Sequence, residues 1–399
     1  MTKYVLIIPD GAADNSLPEF GNKTAIEASN TPNMDKISMN GRLGLVQTVP
    51  EKMEPGSDVA IMSLFGYDPA KHYCGRAPIE AVAQDIELSE SDWVFRCNFV
   101  TVADGKMADH SAGHISDKEG HRLIEEINKK LGNEQIRFYP GVSYRNLMVV
   151  KGMDFEVRTF PPHDYIGTAV DKLLPRGKNA EFLIDLMAKG QQLLAGHEIN
   201  QVRRDLGENP ADSIWLWGQG QKSKLDSFES RFGLKGATIT AVDLVRGLSK
   251  MVGFDLIAVP GVTGYVDTNF EGKASAAIEA LKKYDIVIVH IEAPDETSHQ
   301  GNAKLKKKSI ELIDKYVVGP VYDALQKYDN WRILVSPDHY TPISTCAHSS
   351  EAVPFTMAGT GIESAEGGLH LPFGETNAAK SGLVINKGSD LMEYFLSVK

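Results

Sequence analysis

The sequence contains only three cysteines, Cys74, Cys97 and Cys346, and they are far apart. A disulfide framework or a cysteine-rich metal site needs more cysteines at closer spacings, so the sequence argues against both. No apolar run approaches the roughly 18 residues that a membrane-spanning helix requires. The N-terminal residues pass directly into a strand pattern without the features of a signal peptide. We therefore expect a cytoplasmic protein that does not bind membranes.

Basic residues are also in the minority. The 42 lysines and arginines are outnumbered by 53 acidic residues, which gives a formal net charge of -11 at pH 7. This balance argues against nucleic acid or an anionic membrane surface as the main partner. An anionic metabolite would need a local positive site, which metal ions and a few arginines can supply. The overall acidity therefore does not exclude a small phosphorylated metabolite as the partner.

The length and composition are typical of a two-domain α/β enzyme. With 399 residues, 42% hydrophobic and 24% charged, the chain can bury a large core and exceeds the usual size of one domain. Strand-like apolar runs alternate with helical patterns near both ends, which indicates a doubly wound, mostly parallel sheet. The predicted strands are residues 4–9, 255–259, 285–293, 331–337 and 353–358, with a crossover helix within residues 303–327.

The middle of the chain has a different character. Short β-like segments, separated by glycine, proline and asparagine, indicate a mixed domain. We predict a smaller inserted α+β domain at residues 76–224, and one discontinuous core formed by residues 1–75 and 225–399. The predicted strands of the insert are residues 92–101, 135–138, 146–150, 155–160 and 213–217.

Three predicted core strands are each followed by an aspartate: Asp10, Asp295 and Asp338. Parallel sheets bind their ligands outside the carboxyl ends of their strands, so we expect these aspartates to lie close together. Each could instead cap a helix that follows its strand, a common use of aspartate. His290 lies inside one of the apolar runs and is interpreted as a core residue rather than a ligand.

Histidines accompany two of these aspartates. Asp295 and His299 are four residues apart, which places both on one face if a helix begins after the strand. Asp338 and His339 are adjacent, so in an extended or turning segment we expect their side chains to point apart, where they could serve two different ions. His348 follows a short loop later. Because divalent ions such as Mn²⁺, Mg²⁺ and Zn²⁺ accept carboxylate and imidazole ligands together, the pattern predicts a two-metal phosphoryl-transfer site.

Ser57 follows a Pro-Gly turn and precedes a helical pattern. At a helix N-terminus, backbone N–H groups and the helix dipole favour a phosphate. A metal could lower the pKa of the hydroxyl and hold it for in-line attack. The same position also suits an ordinary N-cap, and the residues alone leave both interpretations open.

Six motifs follow one another along the chain: Pro-Asp-Gly at 9–11, Thr-Pro-Asn-Met-Asp at 31–35, Pro-Gly-Ser-Asp at 55–58, Gly-Arg-Ala-Pro-Ile-Glu-Ala at 75–81, Pro-Asp-Glu-Thr-Ser-His at 294–299, and Ser-Pro-Asp-His at 336–339 with His348. Together they resemble the archaeal-type cofactor-independent (2,3-bisphosphoglycerate-independent) phosphoglycerate mutases of the alkaline phosphatase superfamily. The resemblance extends over nearly the whole chain.

The resemblance implies an alkaline phosphatase-like core that binds two divalent ions, with Mn²⁺ expected and Zn²⁺, Co²⁺ or Mg²⁺ as alternatives. It implies that Ser57 is the nucleophile of a glycolytic and gluconeogenic isomerase, which interconverts 3-phosphoglycerate and 2-phosphoglycerate through a phosphoserine intermediate. The implied ligands are Asp295, His299 and His348 for one ion and Asp10, Ser57, Asp338 and His339 for the other.

Two segments of the insert depart from the family pattern. Residues 109–115 stand where typical mutases carry an arginine-rich stretch, and residues 215–220 also differ. Arginine is suited to clamping carboxylate and phosphate, and the changed pattern resembles a bacterial branch proposed to act as homoserine kinases. A phosphatase or phosphodiesterase of the superfamily is a further alternative. The candidate substrate-binding residues of the insert are Arg76, His110, His114, Arg145 and His163.

Overall fold

The computed structural model describes residues 2–362 and 370–397, and the chain divides into two compact units. The first comprises Met1–Tyr73 and Leu225–Lys399, and the second comprises Cys74–Lys224. The boundaries predicted from the sequence follow residues 75 and 224, whereas those of the structure follow residues 73 and 224. Within the described residues, no helix combines the length and apolar character needed to cross a membrane.

The first unit is built on an eight-stranded, mostly parallel sheet. At its centre, Lys3–Pro9 pairs in parallel with Ile286–Ile291 on one side and with Trp331–Val335 on the other. These are the three strands predicted to lead to an aspartate, and their near-continuous burial explains their unbroken apolar runs. The predicted α/β fold class is confirmed. In sheet order the strands are Asp255–Leu256, Gly236–Ile239, Ile286–Ile291, Lys3–Pro9, Trp331–Val335, Val353–Gly359, Arg42–Val46 and Val384–Ile385.

The predicted crossover helix is interrupted. A π-helical segment, Asp314–Val318, separates Ala303–Ile313 from Gly319–Leu325. Pro320 has no N–H to donate four residues back, and Gly319 donates to the carbonyl of Asp314, five residues back. The other α-helices in the described part of this unit are Ala25–Ala28, Pro32–Asn40, Ser57–Leu64, Pro69–His72, Phe228–Phe232, Asp243–Met251, Phe270–Ala280, Ala293–His299, Glu375–Lys380 and Asp390–Ser397, and Pro18–Phe20 forms a 3-10 helix.

The second unit contains antiparallel strands and helices, the α+β character predicted for the insert. Its long strand, Trp93–Ala103, pairs with Arg145–Val150 on one side and with Ser213–Gln221 on the other. The predicted strand at 155–160 covers only Glu156–Arg158, which pairs with Arg176–Lys178. The remaining strands are Lys106–Asp109 and Ile136–Tyr139. The α-helices are Arg76–Ala83, Asp117–Leu131, Ala180–Ala195 and Glu198–Asp205, and two 3-10 helices lie at Pro162–Tyr165 and Val170–Lys172.

Candidate active site

The three aspartates lie where the central strands end. Asp10 directly follows its strand, and its N–H donates to the carbonyl of Ile291 in the neighbouring strand at 3.0 Å. Asp295 is the third residue of the helix Ala293–His299 and does not act as its N-cap. Asp10 and Asp338 precede turns and bends rather than helices. The alternative that these aspartates cap helices is therefore wrong.

Asp295, His299 and His348 form the first cluster. His299 Nε2 lies 3.0 Å from Asp295 Oδ2 and 3.0 Å from His348 Nε2. His299 Nδ1 donates to the carbonyl of Cys346 at 2.9 Å, which leaves Nε2 facing the cluster. Burial alone would raise the pKa of Asp295, but hydrogen bonds from His299 and His348 hold it well below its usual range. One carboxylate and two imidazoles thus converge, as a divalent cation requires.

Asp10, Asp338 and His339 form the second cluster, and all three are fully buried. His339 Nε2 lies 3.6 Å from Asp10 Oδ1 and 3.3 Å from Asp338 Oδ2. The expectation that the adjacent Asp338 and His339 side chains point apart is therefore wrong, because both face the same cluster. Among the described residues, neither carboxylate oxygen has a hydrogen-bond partner. Burial, together with the nearby carboxylates, raises the pKa of Asp10 well above its usual value. Buried, unpaired carboxylate oxygens are costly, and a cation between them would remove that cost, so the residues fit a metal ion.

Ser57 contacts the second cluster. Its Oγ lies 3.1 Å from His339 Nε2. Ser57 is the first residue of the helix Ser57–Leu64, whose N-cap is Gly56, and no side chain caps this helix. The interpretation of Ser57 as an N-cap is therefore wrong, and its hydroxyl is available to the cluster. The clusters themselves are adjacent, because the rings of His339 and His348 are 4.1 Å apart between centroids.

Two site residues were not predicted as such. His290 is fully buried, as interpreted, but its Nε2 lies 2.7 Å from Asp10 Oδ2 and its Nδ1 lies 3.1 Å from Thr240 Oγ1. Burial lowers the pKa of His290 to about 3, so the neutral ring donates to Asp10 and accepts from Thr240. Burial also raises the pKa of Glu292 to about 8. Because Pro9 pairs with Ile291, strand register alone could have placed Glu292 beside Asp10.

The predicted candidates in the second unit form a chain of ring contacts. The ring of His110 lies 5.8 Å from that of Tyr144 and 6.1 Å from that of His163. His114 also contacts the Tyr144 ring, at 6.5 Å, and the guanidinium of Arg145 lies 5.2 Å from its centroid. Four of the five candidates therefore lie close together: His110, His114 and Arg145 contact Tyr144, and His163 contacts His110.

Arg96 and Trp217 extend this group. The Arg96 guanidinium lies 4.3 Å from the Trp217 ring, and His163 contacts the same ring at 5.3 Å. Burial lowers the pKa of His163; the charge of Asp164 opposes this effect, and the charges of Arg96, His110 and Arg76 add to it. Trp217 Nε1 is buried without a hydrogen-bond partner among the described residues. We name Arg76, Arg96, His110, His163 and Trp217 the cationic cluster of the insert.

Asp109 fixes the loop that carries two of the predicted substrate-binding histidines, His110 and His114. Its carboxylate accepts from the N–H and hydroxyl of Ser111, each at 2.7 Å, and from the Asn209 amide at 2.8 Å. Burial alone would raise the pKa of Asp109, but these hydrogen bonds lower it to about 2. The carboxylate is therefore ionised at neutral pH and holds the loop in place.

The sheet defines an α/β protein. Its two adjacent clusters contain the carboxylate and imidazole groups that bind the ions of a dinuclear metal centre, and a serine hydroxyl lies beside the buried cluster. A family model described as 2,3-bisphosphoglycerate-independent phosphoglycerate mutase matches residues 38–200. The chain is 46% identical to the mutase of that description from Methanothrix thermoacetophila over 398 residues, 99% of this chain and 100% of the relative. It is also 46% identical to a probable mutase of the same description from Geobacter sulfurreducens, over 99% of each chain.

Solved structures agree with this relationship. The PH0037 protein from Pyrococcus horikoshii has a TM-score of 0.84 and 31% identity, covering 100% of this chain and 98% of that one. The cofactor-independent phosphoglycerate mutase from Thermoplasma acidophilum has a TM-score of 0.69 and 25% identity, covering 99% of each chain. The chain belongs to the 2,3-bisphosphoglycerate-independent phosphoglycerate mutase family, which confirms the resemblance inferred from the motifs.

Proposed function

We propose that the protein is a metal-dependent isomerase that interconverts 3-phosphoglycerate and 2-phosphoglycerate in glycolysis and gluconeogenesis. Family membership supports the reaction. The observation that carries the mechanism is the 3.1 Å contact between Ser57 Oγ and His339 Nε2, within a cluster whose carboxylate oxygens Asp10 Oδ1 and Asp338 Oδ2 lack partners among the described residues. A nucleophile beside a charge-binding site is what phosphoryl transfer needs.

Two divalent cations would complete this site, and Mn²⁺ is the ion we expect, with Zn²⁺, Co²⁺ or Mg²⁺ as alternatives. Bound there, they would neutralise charge on the phosphoryl oxygens and on the serine oxygen. The ligands would be Asp295, His299 and His348 for one ion and Asp10, Ser57, Asp338 and His339 for the other.

The reaction needs two in-line transfers at Ser57. In the first, Ser57 Oγ forms a bond to phosphorus while the bond from phosphorus to the glycerate oxygen breaks. In the second, the other hydroxyl of the glycerate attacks the phosphoserine and the Ser57 oxygen leaves. In the first transfer the proton of Ser57 passes to the departing glycerate oxygen, and in the second the proton of the attacking hydroxyl passes to Ser57, so the two transfers balance. Two displacements thus replace one intramolecular jump between neighbouring oxygens.

The insert would supply the contacts to the carboxylate of the substrate. Its cationic cluster combines two guanidiniums, two imidazoles and the Trp217 N–H, which has no partner among the described residues, and all of these groups can donate to an anion. Two acidic residues already lie beside the cluster: Glu80 pairs with Arg96 at 3.1 Å, and Asp164 lies 3.5 Å from His163. His114 and Arg145, which contact Tyr144, are further candidates. The cytoplasmic location stays a prediction.

The decisive experiment compares two reactions of the Mn²⁺-loaded protein: conversion of 3-phosphoglycerate to 2-phosphoglycerate, and ATP-dependent phosphorylation of homoserine. We expect mutase turnover that Ser57→Ala lowers by at least about a thousandfold, because removing a nucleophile abolishes the covalent route. Homoserine phosphorylation without mutase turnover would overturn the proposed substrate. Rapid phosphate release from several esters would instead indicate a phosphatase. Undiminished turnover in Ser57→Ala would overturn the role of Ser57.

A further inference from the structure

We infer that Thr341 is a positioning residue that links the two cation clusters through one hydroxyl group; the inference rests on the proposed metal sites. Thr341 Oγ1 donates to Asp295 Oδ1 of the first cluster at 2.6 Å. The same oxygen lies 3.1 Å from Nδ1 of His339 in the second cluster. Thr341 is fully buried and is not itself in either group of candidate ligands.

The direction of these hydrogen bonds follows from their partners. The carbonyl of Tyr340, which can only accept, lies 3.3 Å from His339 Nδ1, so that nitrogen carries a hydrogen. The hydroxyl hydrogen of Thr341 is already donated to the Asp295 carboxylate, so Thr341 Oγ1 accepts from His339 Nδ1. The Nε2 lone pair of His339 is left to face the buried carboxylates of its cluster. The Thr341 hydroxyl therefore acts together with the Tyr340 carbonyl to fix the tautomer of His339, and it also orients the carboxylate of Asp295.

Thr341 is itself held rigidly. Its N–H donates to the carbonyl of Ala13 at 3.2 Å, and its carbonyl accepts from Lys306 Nζ at 2.9 Å. The fully buried Lys306 also donates to the carbonyl of Ala13 and to Asp14 Oδ2, at 3.1 and 2.9 Å. These hydrogen bonds fix the backbone of Thr341. Its hydroxyl can therefore hold Asp295 of the first cluster and His339 of the second cluster at fixed positions relative to each other.

Gly11, next to Asp10, keeps the space for this link open. A Cβ atom at Gly11 would lie 2.4 Å from Asp295 Oδ1 and 2.6 Å from Thr341 Oγ1, the two atoms that form the hydrogen bond. Gly11 also has a φ of +59°, which side chains rarely adopt. The absence of a side chain there lets the hydroxyl of Thr341 reach the carboxylate.

The test is Mn²⁺ binding to Thr341→Val, which keeps the shape of the side chain but removes the hydroxyl, measured by calorimetry and by metal content after dialysis. We expect affinity at both sites to fall about 10- to 100-fold, the usual effect of losing an outer-shell partner. Thr341→Ser, which restores the hydroxyl, should recover most of it. Thr356→Val is the control, because Thr356 is an equally buried threonine whose hydroxyl donates to the carbonyl of Arg42 and, among the described residues, contacts neither cation cluster.

The outcomes separate this inference from the proposed function. If the unaltered protein binds fewer than two Mn²⁺ ions, the proposed metal sites are wrong. If it binds two and Thr341→Val loses affinity at one site or at neither, only the link is wrong. A second measurement needs no folded valine variant: imidazole ¹⁵N NMR of the metal-free protein, assigned with His339→Asn, should show Nδ1 of His339 protonated. Protonation at Nε2 instead would overturn the inference.

Discussion

His163 is a single residue through which the cationic cluster of the insert can be tested. It contacts the rings of both His110 and Trp217, yet its side chain is 48% exposed, so replacing it should not disturb the core. We expect His163→Gln to raise the KM for phosphoglycerate about tenfold with a smaller change in kcat. One hydrogen bond to a charged group contributes about 1.5 kcal/mol or more, and that energy corresponds to roughly this factor. Steady-state kinetics at saturating Mn²⁺ measure both constants.

His121→Gln is the matched control for this substitution. His121 is also an exposed histidine of the insert, but its Nε2 contacts the carbonyl of Gly141 and not the cationic cluster. The KM of the His121→Gln variant for phosphoglycerate should stay close to that of the unaltered protein. An unchanged KM in His163→Gln, or an equal rise in His121→Gln, would remove His163 from the proposed substrate contacts.

The sequence alone can identify site residues whose side chains are less often buried than apolar ones, such as aspartate and histidine. Asp10, Asp338 and His339 stood out because charged side chains at the ends of buried strands are expensive unless they bind something. Thr341 carried no such signal, since a threonine can be buried anywhere with one hydrogen bond. Its role depends on His339 and Asp295 being brought to either side of one hydroxyl, which only the tertiary structure shows.

At the scale of elements, the helix Pro32–Asn40 is capped by a distant residue. Its N-cap position, Thr31, makes no side-chain cap hydrogen bond. Asp314 instead accepts from the N–H groups of Met34 and Asn33, at 2.8 and 3.2 Å, and burial raises its pKa. We expect Asp314→Ala to lower the free energy of unfolding by about 2–3 kcal/mol, because two helix N–H groups lose their acceptor. Denaturant titration monitored by circular dichroism measures this change.

Asp323→Ala provides the reference for that loss. Asp323 lies on the next helix of the same stretch, Gly319–Leu325, but is exposed, so its replacement should change stability by less than about 0.5 kcal/mol. Similar losses in Asp314→Ala and Asp323→Ala would show that the carboxylate of Asp314 does not cap the helix.

The strands at the centre of the sheet were predicted from the sequence, whereas Arg42–Val46 was not. The strands of the sheet centre have unbroken apolar runs, whereas Arg42–Val46 contains Gly44, where a Cβ would lie 2.8 Å from the carbonyl of Leu383 and from Phe355. Close packing against neighbouring chain, rather than a hydrophobic pattern, selects glycine there. Of the predicted strand 255–259, only Asp255–Leu256 pairs with a neighbouring strand, at the edge of the sheet.

At the scale of the whole molecule, the charges of the site are concentrated in one unit. Asp10, Glu292, Asp295 and Asp338 all lie in the first unit, and the other three raise the pKa of Asp10 in addition to burial. None of the candidate metal-ligand groups in the described residues belongs to the second unit. The sequence indicated this division, because every metal-type motif falls outside residues 76–224.

Cation binding should therefore stabilise the first unit specifically. A ligand that binds only the folded state, at a thousand times its Kd, adds about 4 kcal/mol, and we expect a rise of about 10 °C in the Tm of this unit. Hydrogen exchange measured by mass spectrometry separates the units: with Mn²⁺, peptides covering Lys3–Pro9 and Ile286–Ile291 should gain protection, and peptides covering Trp93–Ala103 should change little.

Two controls distinguish a bound ion from a general effect of salt. Potassium chloride at matched ionic strength screens the carboxylates without entering a carboxylate–imidazole site, so it should reproduce little of the protection. Asp338→Asn removes one charged ligand of the buried cluster and should weaken the response to Mn²⁺. Equal protection of both units, or an equal response to potassium chloride, would contradict a specific cation site. Because the repelling carboxylates are confined to the first unit, stabilisation by a specific ion must begin there.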